Sequence, residues 1–168
     1  MPPKPLCEAD AFRTAHDWPL PGEPYLPGLT ARPSGADDVH RVADLAPDPT
    51  DAQAWRANAP YLAGFRLYNA GFGWEAHEVW EPVWMHARSH SAERYMVQGL
   101  IQLANARLKW TMGRTNASVR LAGIARECLL QARFASTDAL VMGVDLEKLV
   151  MTLDAAGAVE LPNVHYNA

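Results

Sequence analysis

The sequence is poor in cysteine and lacks the common catalytic signatures. Its two thiols, Cys7 and Cys128, lie far apart in the chain and fit no metal-ligand or redox spacing. A Ser-His-Asp arrangement, a glycine-rich phosphate loop and a nucleophilic-cysteine signature are all missing. Covalent serine hydrolysis and redox chemistry with a nucleotide cofactor therefore have no support in the sequence.

The chain also lacks a long apolar run and an excess of basic residues. No apolar stretch approaches the roughly 20 residues that span a bilayer, and residues 1–7 lack the apolar core of a signal peptide. The 15 Lys and Arg residues are scattered among 19 Asp and Glu residues, for a net charge of −4. We therefore expect a cytoplasmic protein with no nucleic-acid partner and no membrane partner.

Proline is concentrated at one end of the chain. Ten of the thirteen prolines lie within residues 1–50, so we expect no long helix there. The same segment contains Phe12, Trp18 and Tyr25, and disordered segments usually lack such aromatic residues. We predict that residues 1–50 form an extended arm packed on a helical body, and a mobile tail is the alternative.

From residue 51 onward the apolar residues recur with the 3.6-residue period of a helix, and no strand-like alternation persists. We predict an all-α, single-domain antiparallel bundle of about five helices over residues 51–168, with the arm at its N-terminus. Short connections between the helices favour antiparallel neighbours. The predicted helices span about 58–69, 72–88, 91–113, 115–134 and 145–157.

The second predicted helix carries a dense polar and aromatic motif, residues 68–84, YNAGFGWEAHEVWEPVW. His77 and Glu81 lie four residues apart and share one helical face, and Glu78 lies at its edge. Glu75 points about 160° away from His77, at roughly 100° per residue, so we expect it to be solvated or bonded to the first predicted helix. His77, Glu78 and Glu81 are therefore the candidate catalytic residues and the candidate ligands of a divalent metal ion.

A polar stripe follows the third predicted helix, at Arg94, Gln98, Gln102, Asn105 and Lys109. Bulky apolar residues flank it on both sides, which makes it narrow for a solvated face. We expect the stripe to face the motif, because buried carboxylates need hydrogen-bond donors. Gln98, Gln102 or Lys109 should then donate at least one hydrogen bond to the motif. A solvent-facing stripe is the alternative.

These residues closely resemble the domain-of-unknown-function 309 family. The resemblance is carried by residues 65–71, FRLYNAG, by WEAHEVWE at 74–81 with Trp84, and by QGLIQLA at 98–104. It is strong over about 55–135 and extends weakly to YLPGLT at 25–30. The resemblance implies a small helical bundle. Some members of the family are labelled predicted metal-dependent hydrolases; that label is itself an inference, and the family has no settled activity.

Three functions stay open. In an enzyme, Glu78 and Glu81 would bind a divalent metal ion and His77 would be a ligand or a base, with Pro82 kinking the helix. In a binding protein, a small molecule would lie between the second and third predicted helices. In a non-catalytic scaffold, Glu81 would pair with Lys109 or Arg94 in a buried network. A homo-oligomer is compatible with each of the three functions. The residues expected to bind the ligand or form the network are Asn69, Trp74, Glu75, Trp84, Arg94, Gln98, Gln102 and Lys109.

Overall fold

The computed structural model describes residues 4–35, 38–156 and 161–167. These residues form seven α-helices and one short antiparallel hairpin, which confirms the all-α fold class. The elements are α1 (Glu8–Asp17), α2 (His40–Ala43), a 3₁₀ helix (Trp55–Ala57), α3 (Ala59–Asn69), α4 (Gly73–His86), α5 (Ala92–Thr111), α6 (Thr115–Ala135), β1 (Leu140–Val141), β2 (Val144–Asp145) and α7 (Leu146–Ala156).

Three helices, α3, α5 and α7, begin where capping residues predict that they begin. Oδ1 of Asn58 accepts a hydrogen bond from the backbone nitrogen of Tyr61 at the start of α3, at 3.1 Å. Ser91 does the same for α5, and Asp145 for α7. Each cap satisfies a backbone N–H that has no partner inside its helix. The predicted end of the last helix at 157 lies outside the described residues.

Two glycines allow the turn before α4 and the close approach of α4 to α5. Gly71 breaks the chain between α3 and α4 with a φ of 92°, a conformation that L side chains rarely adopt. A Cβ added to Gly73 would lie 2.7 Å from the carbonyl oxygen of Ala104 and 2.8 Å from the backbone nitrogen of Leu108. The start of α4 therefore packs directly on the backbone of α5.

Helix α4 continues past Pro82 to His86 without interruption. Its apolar side carries Trp80, which is completely buried and donates a 3.0 Å hydrogen bond to the carbonyl oxygen of Tyr61. The hydroxyl of Thr50 donates to the carbonyl oxygen of Val83 at 2.8 Å, one turn from the end of the helix. These contacts fix α4 against α3 and against the chain that precedes the bundle.

The arm is not extended throughout, because it contains one short helix of ten residues. The interval between Pro5 and Pro19 contains no proline, and the ten-residue helix α1 forms there. Ala11 and Ala15, four residues apart, are buried in the core, and Arg66 of α3 donates to the carbonyl oxygen of Trp18. The arm residues thus pack on the bundle, whereas the division into units 1–50 and 51–168 stays a prediction.

Candidate metal centre

Three side chains of α4 converge at its surface. Each of His77, Glu78 and Glu81 offers one ligand atom, and these atoms lie within 4.8 Å of one another. Nε2 of His77 is 4.0 Å from Oε1 of Glu81, whose side chain is 48% exposed. The side chains of His77 and Glu78 are only 26% and 20% exposed. The group is therefore anchored on its inner side and open to solvent at Glu81.

A neighbouring helix fixes the orientation of His77. Its Nδ1 lies 2.8 Å from Oδ1 of Asn105 on α5. An amide oxygen only accepts, so Nδ1 donates and carries the proton. With the proton on Nδ1, it is Nε2 that can present a lone pair, on the side of Glu81. This is the tautomer in which a histidine binds a metal ion or accepts a proton through Nε2.

The arm fixes the orientation of Glu78. Nε2 of His40, the first residue of α2, donates a 2.8 Å hydrogen bond to Oε2 of Glu78. Nδ1 of the same ring donates a 2.6 Å hydrogen bond to Oδ1 of Asp38. A carboxylate–histidine–carboxylate chain thus runs from the arm into the candidate centre.

The pKa values of His40 and Asp38 follow from these contacts. Burial lowers the pKa of His40, but its hydrogen bonds to Asp38 and Glu78 outweigh that effect and raise this pKa above its ordinary value. The backbone N–H of His40 lowers the pKa of Asp38, and the His40 ring reinforces the effect. The arrangement therefore favours an imidazolium between two carboxylates.

Glu75 does not have the environment that its helical position predicts. It is completely buried, so the expected solvated carboxylate is wrong. Its Oε1 accepts a 2.7 Å hydrogen bond from the backbone nitrogen of Tyr25 in the arm, rather than from the first helix of the bundle. Its Oε2 has no hydrogen-bond partner among the described residues. Burial raises the pKa of this carboxyl group, and the N–H of Tyr25 opposes the rise.

The segment YLPGLT presents this backbone nitrogen to Glu75. The hydroxyl of Thr30 accepts a hydrogen bond from the backbone nitrogen of Leu26 at 2.8 Å and donates to the carbonyl oxygen of Pro24 at 3.1 Å. Gly28, with a φ of 79°, closes the turn. The turn satisfies the N–H groups of Leu26, Leu29 and Thr30 locally, whereas the N–H of Tyr25 is directed at Glu75.

Trp74 lies under the arm rather than in a ligand cage. The ring of Tyr25 meets it edge-on at 4.7 Å between centroids, and the ring of His40 at 5.9 Å. The guanidinium of Arg32 lies 5.8 Å from the same ring. Trp74 therefore forms a platform on which the arm residues that reach Glu75 and Glu78 are seated.

The polar stripe of α5 contacts the motif through a residue other than those expected. Among the described residues, Gln98, Gln102 and Lys109 donate no hydrogen bond to it, so that prediction is wrong. Asn105, from the same stripe, makes the contact with His77. The residues of the stripe are half-buried. Of these side chains, the short amide of Asn105 is the one that reaches the ring of His77.

Arg94 contacts the end of α4 instead of Glu81. Its Nη1 donates to the carbonyl oxygens of Trp84 and Ala87, at 2.9 and 2.8 Å. Its guanidinium also lies over the ring of Trp84, 4.4 Å from the centroid. Within the described parts of the chain, Glu81 pairs with neither Arg94 nor Lys109, so the expected closed network around Glu81 is wrong.

Asn69 is also remote from the centre. Its amide nitrogen donates to the carbonyl oxygen of Val164 at 2.8 Å, and its amide oxygen accepts from the nitrogen of Val164 at 2.9 Å. Asn69 thus secures the C-terminal segment to the end of α3.

Sequence reasoning missed the two partners from the arm, His40 and Asp38. His40 lies 38 residues before Glu78 in the sequence, and helical or strand spacing relates only residues that are close in the chain. The one signal available was a histidine and an aspartate at the end of a proline-rich segment that was expected to pack on the body.

Four cavities, of about 500, 470, 250 and 120 Å³, are lined by residues other than His77, Glu78 and Glu81.

Comparison with known proteins places this site in a family. Residues 61–121 match the model of the family described as Domain of unknown function (DUF309). The matched range includes α4 with the candidate ligands and all of α5. No curated protein and no solved structure matches the chain. No helix among the described residues is long and apolar enough to cross a membrane. Residues 61–121 of this chain are a DUF309 domain.

Proposed function

We propose that His77, Glu78 and Glu81 bind one divalent metal ion and that the protein is a metal-dependent hydrolase. The observation that carries the proposal is the convergence of one imidazole nitrogen and two carboxylate groups within 4.8 Å, each inner ligand having its own orienting partner. Metal-binding histidines characteristically donate their second ring N–H to an oxygen acceptor, as His77 does to Asn105.

The donor set fits a first-row divalent ion with open coordination positions. Two ligand atoms that lie about 2.0–2.2 Å from a tetrahedral zinc ion are roughly 3.4 Å apart, so the 4.0 Å gap between His77 and Glu81 would narrow when the ion binds. Glu81 is the exposed member of the group and can rotate to close that gap. One imidazole with two carboxylates suits Zn²⁺, Fe²⁺ and Mn²⁺.

The bound ion would supply Lewis acidity that polarises an oxygen of the substrate. The chain itself holds a proton on Nδ1 of His77 through Asn105, and it orients Glu78 through His40. Solvent and substrate reach the centre from the side of Glu81. Under this proposal a substrate oxygen approaches from that side, while α5 and the arm close the others.

Metal analysis of tag-free protein purified without chelator tests the proposal. We expect one equivalent of a first-row metal, which is lost in His77→Ala and in Glu81→Gln. His165→Ala and Glu23→Gln remove an exposed imidazole and an exposed carboxylate elsewhere, and both variants should keep the metal. Absence of metal from the wild type, together with no heat of binding on titration with Zn²⁺ or Mn²⁺, would contradict it.

A non-catalytic scaffold is the second candidate, and the His40–Glu78 hydrogen bond favours it. The bond joins the arm to α4 and needs no metal ion to be satisfied. Under this alternative His40→Ala would lower stability and release the arm, and no variant in the group would change a metal content. The two candidates therefore differ in the metal analysis and not merely in stability.

A further inference from the structure

A second candidate site, built from residues other than those of the candidate metal centre, lies where the arm meets the bundle. A cavity of about 500 Å³ is bounded by α1, the 3₁₀ helix, α3 and the C-terminal segment. Its volume falls in the range of pockets that hold small organic molecules, about 300–1,000 Å³. It shares no lining residue with the group His77, Glu78 and Glu81.

The walls of the cavity are aromatic and already fixed in position. Phe12, Trp55 and Tyr166 contribute rings, and Leu62 contributes an aliphatic surface. The ring of Trp55 meets that of Tyr166 at 5.3 Å between centroids, with an interplanar angle of 69°. Phe12 is 54% exposed, so a molecule in the cavity can reach its ring. The walls therefore suit a flat apolar molecule.

His16 ties two of these walls together. Its Nε2 lies 3.3 Å from the hydroxyl of Tyr166, and its ring lies 4.0 Å from that of Phe12 between centroids. Because α1 and the C-terminal segment are linked in this way, the cavity does not depend on a ligand for its shape. Preformed walls reduce the ordering cost of binding.

The charges at the rim select the polar end of the ligand. Arg13 is paired with Asp10. Arg56 lies over the ring of Trp55, 4.4 Å from its centroid, and forms no salt bridge with any residue in the described part of the chain. Glu8 is the carboxylate among the lining residues and disfavours a second negative charge on the ligand. One available guanidinium suits a single carboxylate, which it can bind through two parallel hydrogen bonds.

We propose that this cavity binds an aromatic monocarboxylate, with the ring system between Phe12, Trp55 and Tyr166 and the carboxylate on Arg56. The site is independent of the proposed metal centre, because it uses other residues and other elements. It would also couple ligand binding to the docking of the arm, since α1 forms one wall.

Calorimetric titration with 2-naphthoate tests the proposal, using the full chain in the presence of EDTA. The chelator prevents the carboxylate from binding through a metal ion at the other site. We expect saturable binding with one equivalent, weakened roughly tenfold when the neutral 2-naphthamide replaces the acid. His77→Ala should bind 2-naphthoate like the wild type, which separates this site from the metal centre.

Matched variants locate the site. Arg56→Gln should weaken 2-naphthoate roughly tenfold, whereas Arg120→Gln, which removes an exposed arginine of α6, should leave it unchanged. Ala9→Trp should fill the cavity and abolish binding of both probes, with a thermal melt confirming that each variant is folded. No binding by the folded wild type, equal affinity for acid and amide, or an unaffected Ala9→Trp would each overturn the proposal.

Discussion

Nε2 of His40 lies 2.8 Å from Oε2 of Glu78, although 38 residues separate the two in the chain. The hydrogen bond joins the end of the proline-rich arm to the helix that carries the candidate metal ligands. It makes the arm part of the site rather than an appendage. A residue of the arm is thereby the direct neighbour of a proposed metal ligand.

Replacing His40 with alanine is expected to weaken Zn²⁺ binding by about 10–100-fold, because Glu78 loses the donor that orients it. Calorimetric titration of the tag-free protein measures the effect. His165→Ala removes an exposed histidine and serves as the control. A variant that keeps the wild-type affinity but is cleaved faster in the arm by a protease would show that this hydrogen bond only secures the arm.

Replacing Glu81 with glutamine is expected to change the free energy of unfolding of the metal-free protein by less than about 0.5 kcal/mol. The side chain is 48% exposed, and its nearest basic partner is His77, at 4.0 Å. Urea unfolding in EDTA provides the measurement. A loss of about 3–5 kcal/mol would mean that a buried cation depends on Glu81 and would restore the closed-network interpretation.

Replacing Gly73 with alanine is expected to destabilise the protein by about 1–3 kcal/mol, because the new Cβ would press on the backbone of α5. The same change would separate His77 from Asn105 and weaken metal binding. Gly123→Ala is the matched control, since a Cβ at that position of α6 meets nothing within 4 Å. The control should gain about 0.5–1 kcal/mol from helix propensity. Equal melting temperatures for the two variants would contradict the close packing of α4 on α5.

Replacing Glu75 with glutamine is expected to raise the free energy of unfolding at neutral pH by about 1 kcal/mol. The carboxyl group is completely buried, and one of its oxygens has no partner among the described residues. Glutamine removes the charge and keeps an oxygen for the N–H of Tyr25. Glu75→Ala should instead destabilise, since it removes that acceptor and leaves a void. A less stable glutamine variant would show that the ionised carboxylate is itself required.

Replacing Arg94 with alanine is expected to lower the free energy of unfolding by about 1–3 kcal/mol. The guanidinium donates to the carbonyl oxygens of Trp84, in the last turn of α4, and of Ala87, just after it, and it covers the ring of Trp84. Arg88→Ala, at an exposed neighbouring position, should change stability by less than about 0.5 kcal/mol. Chemical unfolding of both variants gives the comparison, and similar losses for the two would contradict a capping role for Arg94.

The sequence by itself determined the helices α3 to α7 of the bundle and the identity of the candidate ligands. Asn58, Ser91 and Asp145 accept hydrogen bonds from the first turns of α3, α5 and α7, and such caps act over three residues. The spacing of His77 and Glu81 places them on one face whatever the rest of the chain does. These features are local, so a reading of neighbouring residues recovers them.

Only the tertiary structure decided which groups meet those ligands. Helical angles place Glu75 opposite His77, but they do not show that the arm covers that face and buries its carboxylate. Periodicity predicts a polar stripe on α5, but the choice of Asn105 over Gln98, Gln102 and Lys109 depends on how closely Gly73 lets the two helices approach. His40 reaches Glu78 because the chain folds back over α4. Contacts between distant segments depend on how the helices pack and on where the connecting chain runs. The spacing of neighbouring residues in the sequence predicts neither.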